Sequence, residues 1–312
     1  MLAAVATLHE QAQLCLDING DDFNIALDKI EAAITPKTKV IMPVDISGFP
    51  CDYDEIMNCV KKHSSIFVPS NDKQKKLGRI LIAADSAHSF GAAYKNKRSG
   101  SFTDVSCFSF HAVKNLTTAE GGAVCFNLPE VFDHEEIYKE FVTITLHGQS
   151  KDALAKTKKG AWKYDVITPG YKCNMTDIQA AMGLVELDRY SENLARRKEI
   201  FDAYDTAFSK KKWALLPPHQ TSDKKSSHHL YLLRIKDISE AQRDEIIQEI
   251  FDQSVSVNVH FQPLPLLTAY KNLGYDINDF PIAYHKYQTE VSLPVYYNLD
   301  AAQVQQVVTA VI

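Results

Sequence analysis

The stretch that decides the fold runs from Val105 to Gly122 and reads VSCFSFHAVKNLTTAEGG. Its apolar beginning predicts a short strand that breaks at His111, and the following loop carries Lys114 and ends in paired glycines. A lysine placed just past a buried strand is shielded from water, and desolvation lowers the pKa of an amine. A neutral amine is the form that reacts with a carbonyl group. The alternative is an ordinary solvated lysine, so the neighbouring residues must decide.

Working outward, apolar runs and helical segments alternate along the first half of the chain. Thr38 to Val44 and Arg79 to Ala84 are continuous apolar runs, which are typical of strands in a parallel sheet covered by helices on both faces. In such sheets, ligands bind beyond the carboxyl ends of the strands. Asp85 and Lys114 each follow an apolar strand, so we expect them to share a site.

The remaining patterns predict two lobes, comprising residues 1–216 and 217–312, with the boundary at Pro217–Pro218. A capping box at Thr176 predicts the start of a long helix over 177–208 in the first lobe. Residues 13–18 have the apolar character of a strand, and the polar segment 70–78 is expected to be an exposed loop.

The composition favours an ordinary globular protein. Of 312 residues, 45% are hydrophobic and 23% are charged, and the net charge of −5 argues against a nucleic-acid binder. No run of about 18 apolar residues predicts a membrane span. The six cysteines lie far apart without a Cys-x-x-Cys pair, which predicts reduced thiols in a cytoplasmic protein rather than disulfides or a metal site.

Four side chains suggest one cofactor. A carboxylate at Asp85 that faces a pyridinium nitrogen keeps it protonated, and this is the partnership used with pyridoxal phosphate (PLP) beside a Schiff-base lysine. His88 is then placed to contact the phenolic oxygen or the ring, and Ser109 to donate to a phosphate. Taken singly, Asp85 is equally a helix cap or an ion-pair partner, His88 a surface histidine, and Ser109 a partner of the backbone.

Residues 84–124 closely resemble the DegT/StrS family of sugar-nucleotide aminotransferases. The motifs that carry the resemblance are Asp85-Ser-Ala-His88, Gly100-Ser-Phe-Thr-Asp104, Ser109-Phe-His-Ala-Val-Lys114-Asn115 and Glu120-Gly-Gly. Further matches lie at 30–44, 147–148, 170–181, 195–204, 229–235, 259–264 and 292–299. The sequences of these motifs are most similar to those of the branch that includes the enzyme forming UDP-4-amino-4-deoxy-L-arabinose.

The resemblance implies a fold-type-I α/β protein, with a mostly parallel sheet covered by helices on both faces and a smaller C-terminal α+β lobe. It implies PLP as cofactor, with Lys114 carrying it and moving the proton in catalysis. Asp85 would hold the pyridinium, His88 the oxygen edge and Ser109 the phosphate, while His111 would support the lysine. Related dehydratases have histidine in place of this lysine, so Lys114 favours transamination.

The resemblance also implies a homodimer that builds each active site from two subunits. The segment 170–174 would reach the neighbour's phosphate site through Lys172 or Asn174. The expected substrates are a nucleotide-linked keto-sugar and an amino donor, glutamate, with His147 and His260 as candidate sugar contacts. The loops at 148–168 and 260–265 would supply further sugar contacts.

Aligning the family pattern with residues 17–35 places Met1 beyond the family's phosphate-binding turn and stacking aromatic residue. We therefore expect the chain to lack some of the residues that bind the cofactor phosphate in the family. The alternative that follows is a catalytically silent homologue that serves as a dimerisation or regulatory partner. A third hypothesis, a dinucleotide-binding oxidoreductase, is weak because no Gly-x-Gly-x-x-Gly follows a strand.

Overall fold

A computed structural model describes residues 14–150 and 163–312 of the chain. The described strands are β1 (Val40–Ile41), β2 (Leu81–Asp85), β3 (Ala93–Tyr94), β4 (Lys97–Arg98), β5 (Val105–Ser109), β6 (Gly122–Phe126), β7 (Ala214–Leu215), β8 (Lys224–Lys225), β9 (Tyr231–Ile235) and β10 (Glu290–Leu293).

The described α-helices are α1 (Leu27–Ala33), α2 (Tyr53–Lys62), α3 (Asp72–Leu77), α4 (His134–Thr145), α5 (Asp177–Asp188), α6 (Tyr190–Phe208), α7 (Glu240–Asp252), α8 (Thr268–Asn272), α9 (Pro281–Thr289) and α10 (Ala301–Val311). Short 3₁₀ turns lie at Ile46–Gly48, Ser64–Ile66, Leu264–Leu266 and Ile277–Asp279.

The sheet that positions the site has the strand order β1-β2-β5-β6. Strand β2 pairs in parallel with both β1 and β5, and Asp85 lies opposite Cys107. Strand β6 runs antiparallel to β5, because the chain returns directly through the loop that carries Lys114. The predicted α/β fold with a mostly parallel sheet is therefore confirmed.

Two hydrophobic clusters form the described interior. The first surrounds β1, β2 and α2 and includes Ile30, Ile82 and Val60. The second packs α6, α7 and α10 against the sheet β10-β9-β7, with Phe201 and Leu233 fully buried. The division at 216/217 stays a prediction, and α6, which precedes it, contributes side chains to the second cluster.

The strand predicted at residues 13–18 is wrong for the part that the structure describes. From Leu14 onward, only Ile18 forms an isolated bridge, with Ile25. The carboxylate of Asp17 instead accepts hydrogen bonds from the backbone N–H groups of Ile282 and Ala283, at 3.0 and 2.9 Å. The segment is held by a side chain that satisfies the first turn of α9, which an apolar pattern does not reveal.

The polar segment 70–78 is exposed as predicted, but it is not simply a loop. Helix α3 occupies its centre, and the Asn71 side chain caps it by accepting from the Gln74 N–H at 2.9 Å. Gly78 ends the helix in the left-handed conformation, with φ of 70°. The cap and the terminal glycine are helix signals that outweigh the polar composition.

The single helix predicted over 177–208 is two helices. The predicted capping box is present, since Thr176 and Gln179 exchange both hydrogen bonds. Helix α5 ends at Asp188, Arg189 departs from helical geometry with ψ of 5°, and α6 begins at Tyr190. Tyr190 is buried and its hydroxyl donates to the carbonyl of Phe90. This tertiary contact accompanies the break between the two helices.

Candidate active site

The loop that carries Lys114 is anchored at both ends. Ser109 pairs with Gly122 at the end of the β5-β6 ladder, and the Phe110 N–H donates to the Gly121 carbonyl at 2.9 Å. A Cβ atom at Gly122 would lie 2.5 Å from the Phe108 carbonyl oxygen, so only glycine allows this approach. The Lys114 N–H donates to the His111 carbonyl at 2.9 Å, which closes a tight turn.

Asp85 and Lys114 interact electrostatically at this edge of the sheet. Burial lowers the pKa of the Lys114 amine, and the nearby Asp85 carboxylate opposes that shift. The Asp85 carboxylate also accepts the Ala87 N–H at 3.1 Å, which fixes the chain as it leaves β2. The arrangement places a partly desolvated amine and a carboxylate in one cleft, and a shared function of the two residues stays a prediction.

His88 belongs to the same cluster. Its ring lies 4.4 Å from the His229 ring, and Phe261 stacks on it at 5.8 Å between ring centroids. Burial lowers the pKa of His88 to about 3, and the charge of Lys114 contributes further. Its buried Nδ1 atom has no hydrogen-bond partner within residues 14–150 and 163–312. A neutral ring with an unsatisfied nitrogen is available to a ligand in the cleft.

His229 and Asn115 form the wall behind Lys114. The ring nitrogen Nδ1 of His229 lies 2.7 Å from Oδ1 of Asn115, the residue next to Lys114. The Asn115 amide donates to the Ser227 carbonyl at 2.8 Å, and the Asn193 amide donates to the Asn115 carbonyl at 2.8 Å. Asn115 therefore ties the Lys114 loop to α6 and to the segment before β9.

Asp45 lies buried beneath the strand ends. Its carboxylate accepts hydrogen bonds from Tyr53 at 2.6 Å, from Ser89 at 2.7 Å and from the Cys51 N–H at 2.9 Å. Burial raises the pKa of Asp45 despite these donors, and the Asp85 charge adds to the effect. The network joins the turn after β1 to the turn that carries His88.

His260 also lies beside Lys114 and His88. Burial lowers the pKa of His260, and the Lys114 charge lowers it further. Its Nδ1 atom lies 2.8 Å from the Ser292 hydroxyl. The structure thus brings Asp85, His88, Lys114 and His260 together, while the role of His260 in sugar binding stays a prediction.

Ser109 and His111 flank the Lys114 turn. The Ser109 hydroxyl oxygen accepts the His111 N–H at 3.3 Å, and its own proton has no partner among the described residues. The His111 side chain is 45% exposed, and its Nε2 atom lies 3.7 Å from Glu120. Ser109 is available as a donor, whereas His111 faces the rim rather than the buried cleft.

Lys172, Asn174 and His147 are not brought to Lys114 within one chain. Lys172 and Asn174 are exposed and hydrogen-bonded to each other. His147 is exposed, with φ of 59°, and its N–H donates to the Tyr171 carbonyl at 2.8 Å. Their predicted roles require another subunit or a bound substrate. Of the loop 148–168, residues 151–162 lie outside the described part of the chain.

The residues present fit PLP on the chemistry of this cleft. Lys114 offers an amine with a lowered pKa, Asp85 a carboxylate for a pyridine nitrogen, and His88 an unsatisfied ring nitrogen. Ser109 supplies a free hydroxyl donor at the end of β5. Lys114, Asp85 and His88 would hold the cofactor, and Ser109 its phosphate.

Sequence reasoning missed several residues that shape the cleft. Asn115 and His229 were part of matched motifs but carried no predicted role, and Asp45 follows Val44 in the first apolar run. The available signal for Asp45 was its place after a strand, as for Asp85. The contact between His229 and Asn115 joins residues far apart in sequence, so no local pattern marks it.

Three further observations concern the described residues. Within 14–150 and 163–312, no group of His, Cys, Asp or Glu side chains is arranged to hold a metal ion. No described helix is both long and apolar enough to cross a membrane. All six cysteines are free thiols.

Comparison with known proteins extends over nearly the whole chain. SpsC, a spore coat polysaccharide biosynthesis protein of Bacillus subtilis, is 36% identical over 299 residues, which are 95% of this chain and 71% of SpsC. The UDP-4-amino-4,6-dideoxy-N-acetyl-beta-L-altrosamine transaminase of Campylobacter jejuni is 31% identical over 289 residues, 91% of this chain and 68% of the relative.

Solved structures give the same result. The PLP form of Spr1654 from Streptococcus pneumoniae superimposes with a TM-score of 0.94 and 45% identity, covering 99% of this chain and 76% of Spr1654. Spr1654 is also solved with the cofactor in its PMP form. The DegT/DnrJ/EryC1/StrS aminotransferase family matches residues 3–312. The chain belongs to this family and is a PLP-dependent sugar aminotransferase of fold type I.

Proposed function

We propose that this protein transfers an amino group from an amino-acid donor, glutamate, to a nucleotide-linked keto-sugar for the synthesis of a surface polysaccharide. The observation that carries the proposal is the Lys114 amine, partly desolvated beside the Asp85 carboxylate and the neutral His88 ring. A lysine in this setting is a nucleophile for carbonyl carbon.

Each residue of the cluster has a distinct task. PLP, when bound, supplies an electron sink for the carbon that gains or loses the amino group. Asp85 would hold the pyridine nitrogen in its protonated form by its negative charge. Lys114 binds the cofactor through Nζ and takes up and returns a proton there. His88 remains neutral because burial opposes its protonation, so it acts by hydrogen bonding and packing.

The phosphate of the cofactor is assigned to Ser109 from the same chain and to Lys172 or Asn174 from a second chain. Ser109 has an available hydroxyl proton, and Lys172 adds a positive charge. A phosphate contact by an ionised side chain contributes about 1.5–3 kcal/mol. His111 is assigned a supporting role at the rim.

The nucleotide-sugar substrate is proposed from the relatives. A transaminase that acts on a UDP-linked sugar and a polysaccharide biosynthesis protein are both more than 30% identical to this chain. His260 lies within electrostatic reach of Lys114 and is a candidate contact for the sugar hydroxyl groups. His147 is a candidate only if it comes from a neighbouring subunit.

We infer a homodimer with shared sites. Helix α5 follows the segment that carries Lys172 and Asn174, and it has no buried residue in the single chain. Ile178 and Leu184 are 77% and 65% exposed, which is unusual for apolar side chains on a well-formed helix. The free thiols favour a reducing compartment, and we infer the cytoplasm.

The test is spectroscopic and kinetic. Purified protein with added PLP should show the visible absorbance band of a lysine-bound cofactor, and Lys114→Ala should lose it. Lys271→Ala is the matched control, because Lys271 lies on α8 outside the cleft cluster. UDP- and dTDP-linked keto-sugars should then be aminated in the presence of glutamate. A protein that binds no PLP under these conditions would contradict the proposed function.

A further inference from the structure

A short chain of hydrogen bonds leads from the cleft to a buried carboxylate. Nδ1 of His260 lies 2.8 Å from the Ser292 hydroxyl oxygen, and that hydroxyl donates to Oε1 of Glu290 at 2.5 Å. The other carboxylate oxygen of Glu290 accepts the His260 backbone N–H at 2.9 Å. Glu290 is 1% exposed and begins strand β10.

The protonation state of Glu290 determines the tautomer of His260. Ionised Glu290 can only accept the Ser292 proton, so in that state the Ser292 oxygen accepts the Nδ1 proton of His260. The Nε2 atom of neutral His260 is then unprotonated, and it has no hydrogen-bond partner in the parts of the chain that the structure describes. His260 therefore presents a proton acceptor next to Lys114 and His88.

Burying the Glu290 carboxylate costs free energy, which a purely structural role does not require. Burial raises its pKa to about 8, and the Arg243 guanidinium only partly offsets this. Arg234 is its cross-strand neighbour, but no ion pair joins Glu290 to a cation among the described residues. A glutamine would make comparable hydrogen bonds without the cost of a buried charge. A carboxyl group that changes protonation near neutral pH and is connected to a cleft by hydrogen bonds is typical of a functional site.

We propose that His260, Ser292 and Glu290 form a proton relay that removes a proton from an ammonium group in the cleft and stores it on Glu290. The inference rests on the proposed aminotransferase function, since amines must lose a proton before they attack a carbonyl carbon. It adds Ser292 and Glu290 to the machinery as positioning and proton-storing residues.

The proton balance of the relay is simple. The ammonium N–H bond breaks and its proton binds Nε2 of His260, while the Nδ1 proton passes to the Ser292 oxygen. The former Ser292 hydroxyl proton passes to Oε1 of Glu290. One cation and one buried anion become a neutral amine and a neutral acid, so the transfer removes two charges from a region of low dielectric. His260 is neutral before and after, which suits its lowered pKa.

Two ammonium groups share this chemistry, namely Lys114 itself and the incoming amino donor. Lys114 lies near His260, because its charge lowers the pKa of His260. A pH titration of the protein before PLP is added, when the Lys114 amine is free, reports on Lys114, and a single half-reaction of the PLP-loaded protein with glutamate reports on the donor. Comparing the two separates the sources.

The primary experiment needs no amino donor. In the PLP-loaded protein labelled with ¹⁵N-histidine, the His260 signals are assigned by their loss in His260→Gln and followed with pH. We expect the protonated ring nitrogen to change from Nδ1 to Nε2 at the pH where infrared spectra show Glu290 becoming a carboxylic acid. Glu290→Gln should abolish both changes. The nearby titrating groups His88, His229 and Lys114 would shift the midpoint but would not produce a tautomer change.

Ser292 variants separate a relay from a structural role. Ser292→Ala should uncouple the tautomer from the Glu290 carboxyl group, and Ser292→Thr, which keeps the hydroxyl, should restore the coupling. Ser106→Ala is the matched control, because Ser106 is also a buried strand serine but bonds to Thr103. A tautomer that follows Glu290 equally in wild type and Ser292→Ala would overturn the relay.

The half-reaction with glutamate completes the test. General-base catalysis contributes roughly 10²–10⁴-fold, so Ser292→Ala should slow the half-reaction by about 100-fold. The loss should be largest above about pH 8, where Glu290 is ionised and can take up the proton. An unchanged rate would assign the proton to another acceptor and overturn the relay. Failure of the wild-type protein to react with glutamate would instead count against the proposed donor, while the donor-independent titration still decides the relay.

Discussion

His228 and His229 show how burial fixes protonation at single residues. Both are almost completely buried, and burial lowers the pKa of each, to about 3 for His228. His228 packs its ring against Phe201 at 4.9 Å and leaves its Nε2 atom without a partner among the described residues. Neither imidazole has a carboxylate bonded to it in the described structure, so both remain neutral in the folded state.

The neutral state of His228 predicts a loss of stability in acid. An unfolded histidine takes up a proton below about pH 6.5, whereas folded His228 does so only near 3. The unfolded state therefore binds more protons in this window, and the free energy of unfolding falls as the pH falls. At pH 5 the expected loss from this residue is about 2 kcal/mol.

His228→Asn should remove that part of the pH dependence. Asparagine tolerates the left-handed backbone at this position, where φ is 55°. The control is His147→Asn, because His147 has a similar φ of 59° but is exposed. Urea unfolding at pH 7 and pH 5 measures the effect. Equal pH dependence in His228→Asn and wild type would show that His228 is not the residue that resists protonation.

The site could be predicted at the strand ends but not beyond them. Asp85, Lys114 and His88 follow strands of one parallel sheet, and the topology rule brings such residues together. His260 was predicted only from a family motif. Its contact with Ser292 joins two segments that are distant in sequence. Glu290 lies between Thr289 and Val291, where polar and apolar residues alternate, so nothing local reveals the burial of its carboxylate or its hydrogen bonds.

At the level of elements, the turn at Ser47–Gly48 holds two distant segments together. The Ser227 N–H donates to the Gly48 carbonyl at 3.1 Å, and the His229 N–H donates to the Ser47 carbonyl at 3.1 Å. Gly48 has φ of 85°, and a Cβ atom there would lie 1.9 Å from the Ser227 hydroxyl and 2.7 Å from the His88 carbonyl oxygen. The turn therefore fixes the segment that carries His229 against the one that carries His88.

Gly48→Ala should disturb both the fold and the cleft. The left-handed backbone alone costs about 1–2 kcal/mol for alanine, and the two contacts add to that because a carbonyl group cannot move aside freely. Gly78→Ala is the control, since Gly78 has φ of 70° but no atom within 4 Å of the added Cβ. We expect Gly78→Ala to lose only the backbone cost and to keep normal PLP affinity.

Urea unfolding and PLP titration distinguish these effects. Gly48→Ala should be the less stable variant and should bind PLP more weakly, because His88 is displaced. Equal stability and equal PLP affinity in the two variants would mean that the Ser47–Gly48 turn does not position the cleft.

The elements themselves were predictable where local signals and tertiary packing agree. Strand β5 has a clear apolar pattern and lies at the start of the stretch 105–122, where a strand is predicted. The errors lie where a longer-range contact decides. Tyr190 packs under Phe90 and breaks the predicted helix 177–208, and Asp17 holds the residues before Ile18 without a strand. Such contacts have no signature within a sequence window.

For the whole molecule, the surface of α5 is the feature that a single chain leaves unexplained. Ile178, Met182 and Val185 lie on one stripe of the helix, and each is more than 40% exposed. Leu184 and Leu187 are exposed as well. A second copy of the chain that packs on this helix would bury the apolar surface. Lys172 and Asn174 of the first chain, which precede the helix, would then lie at the cleft of the second chain.

Ile178→Lys combined with Val185→Lys should therefore produce monomers. A lysine on an exposed helix face costs little in the single chain, whereas two lysines in an apolar interface must be desolvated or exclude the partner. The control is Leu273→Lys, because Leu273 is 55% exposed but lies at the end of α8, away from α5. Sedimentation velocity over a range of concentrations measures the oligomeric state.

The same variant decides whether each site needs two chains. If Lys172 or Asn174 binds the partner's phosphate, the monomeric variant should bind PLP more weakly, by about 10–100-fold for one lost charge-assisted contact. Asn174→Ala in the intact dimer should then weaken binding without dissociation. Monomers that retain full PLP affinity would show that one chain holds the complete cofactor site, and the shared-site proposal would be wrong while the dimer itself would stand.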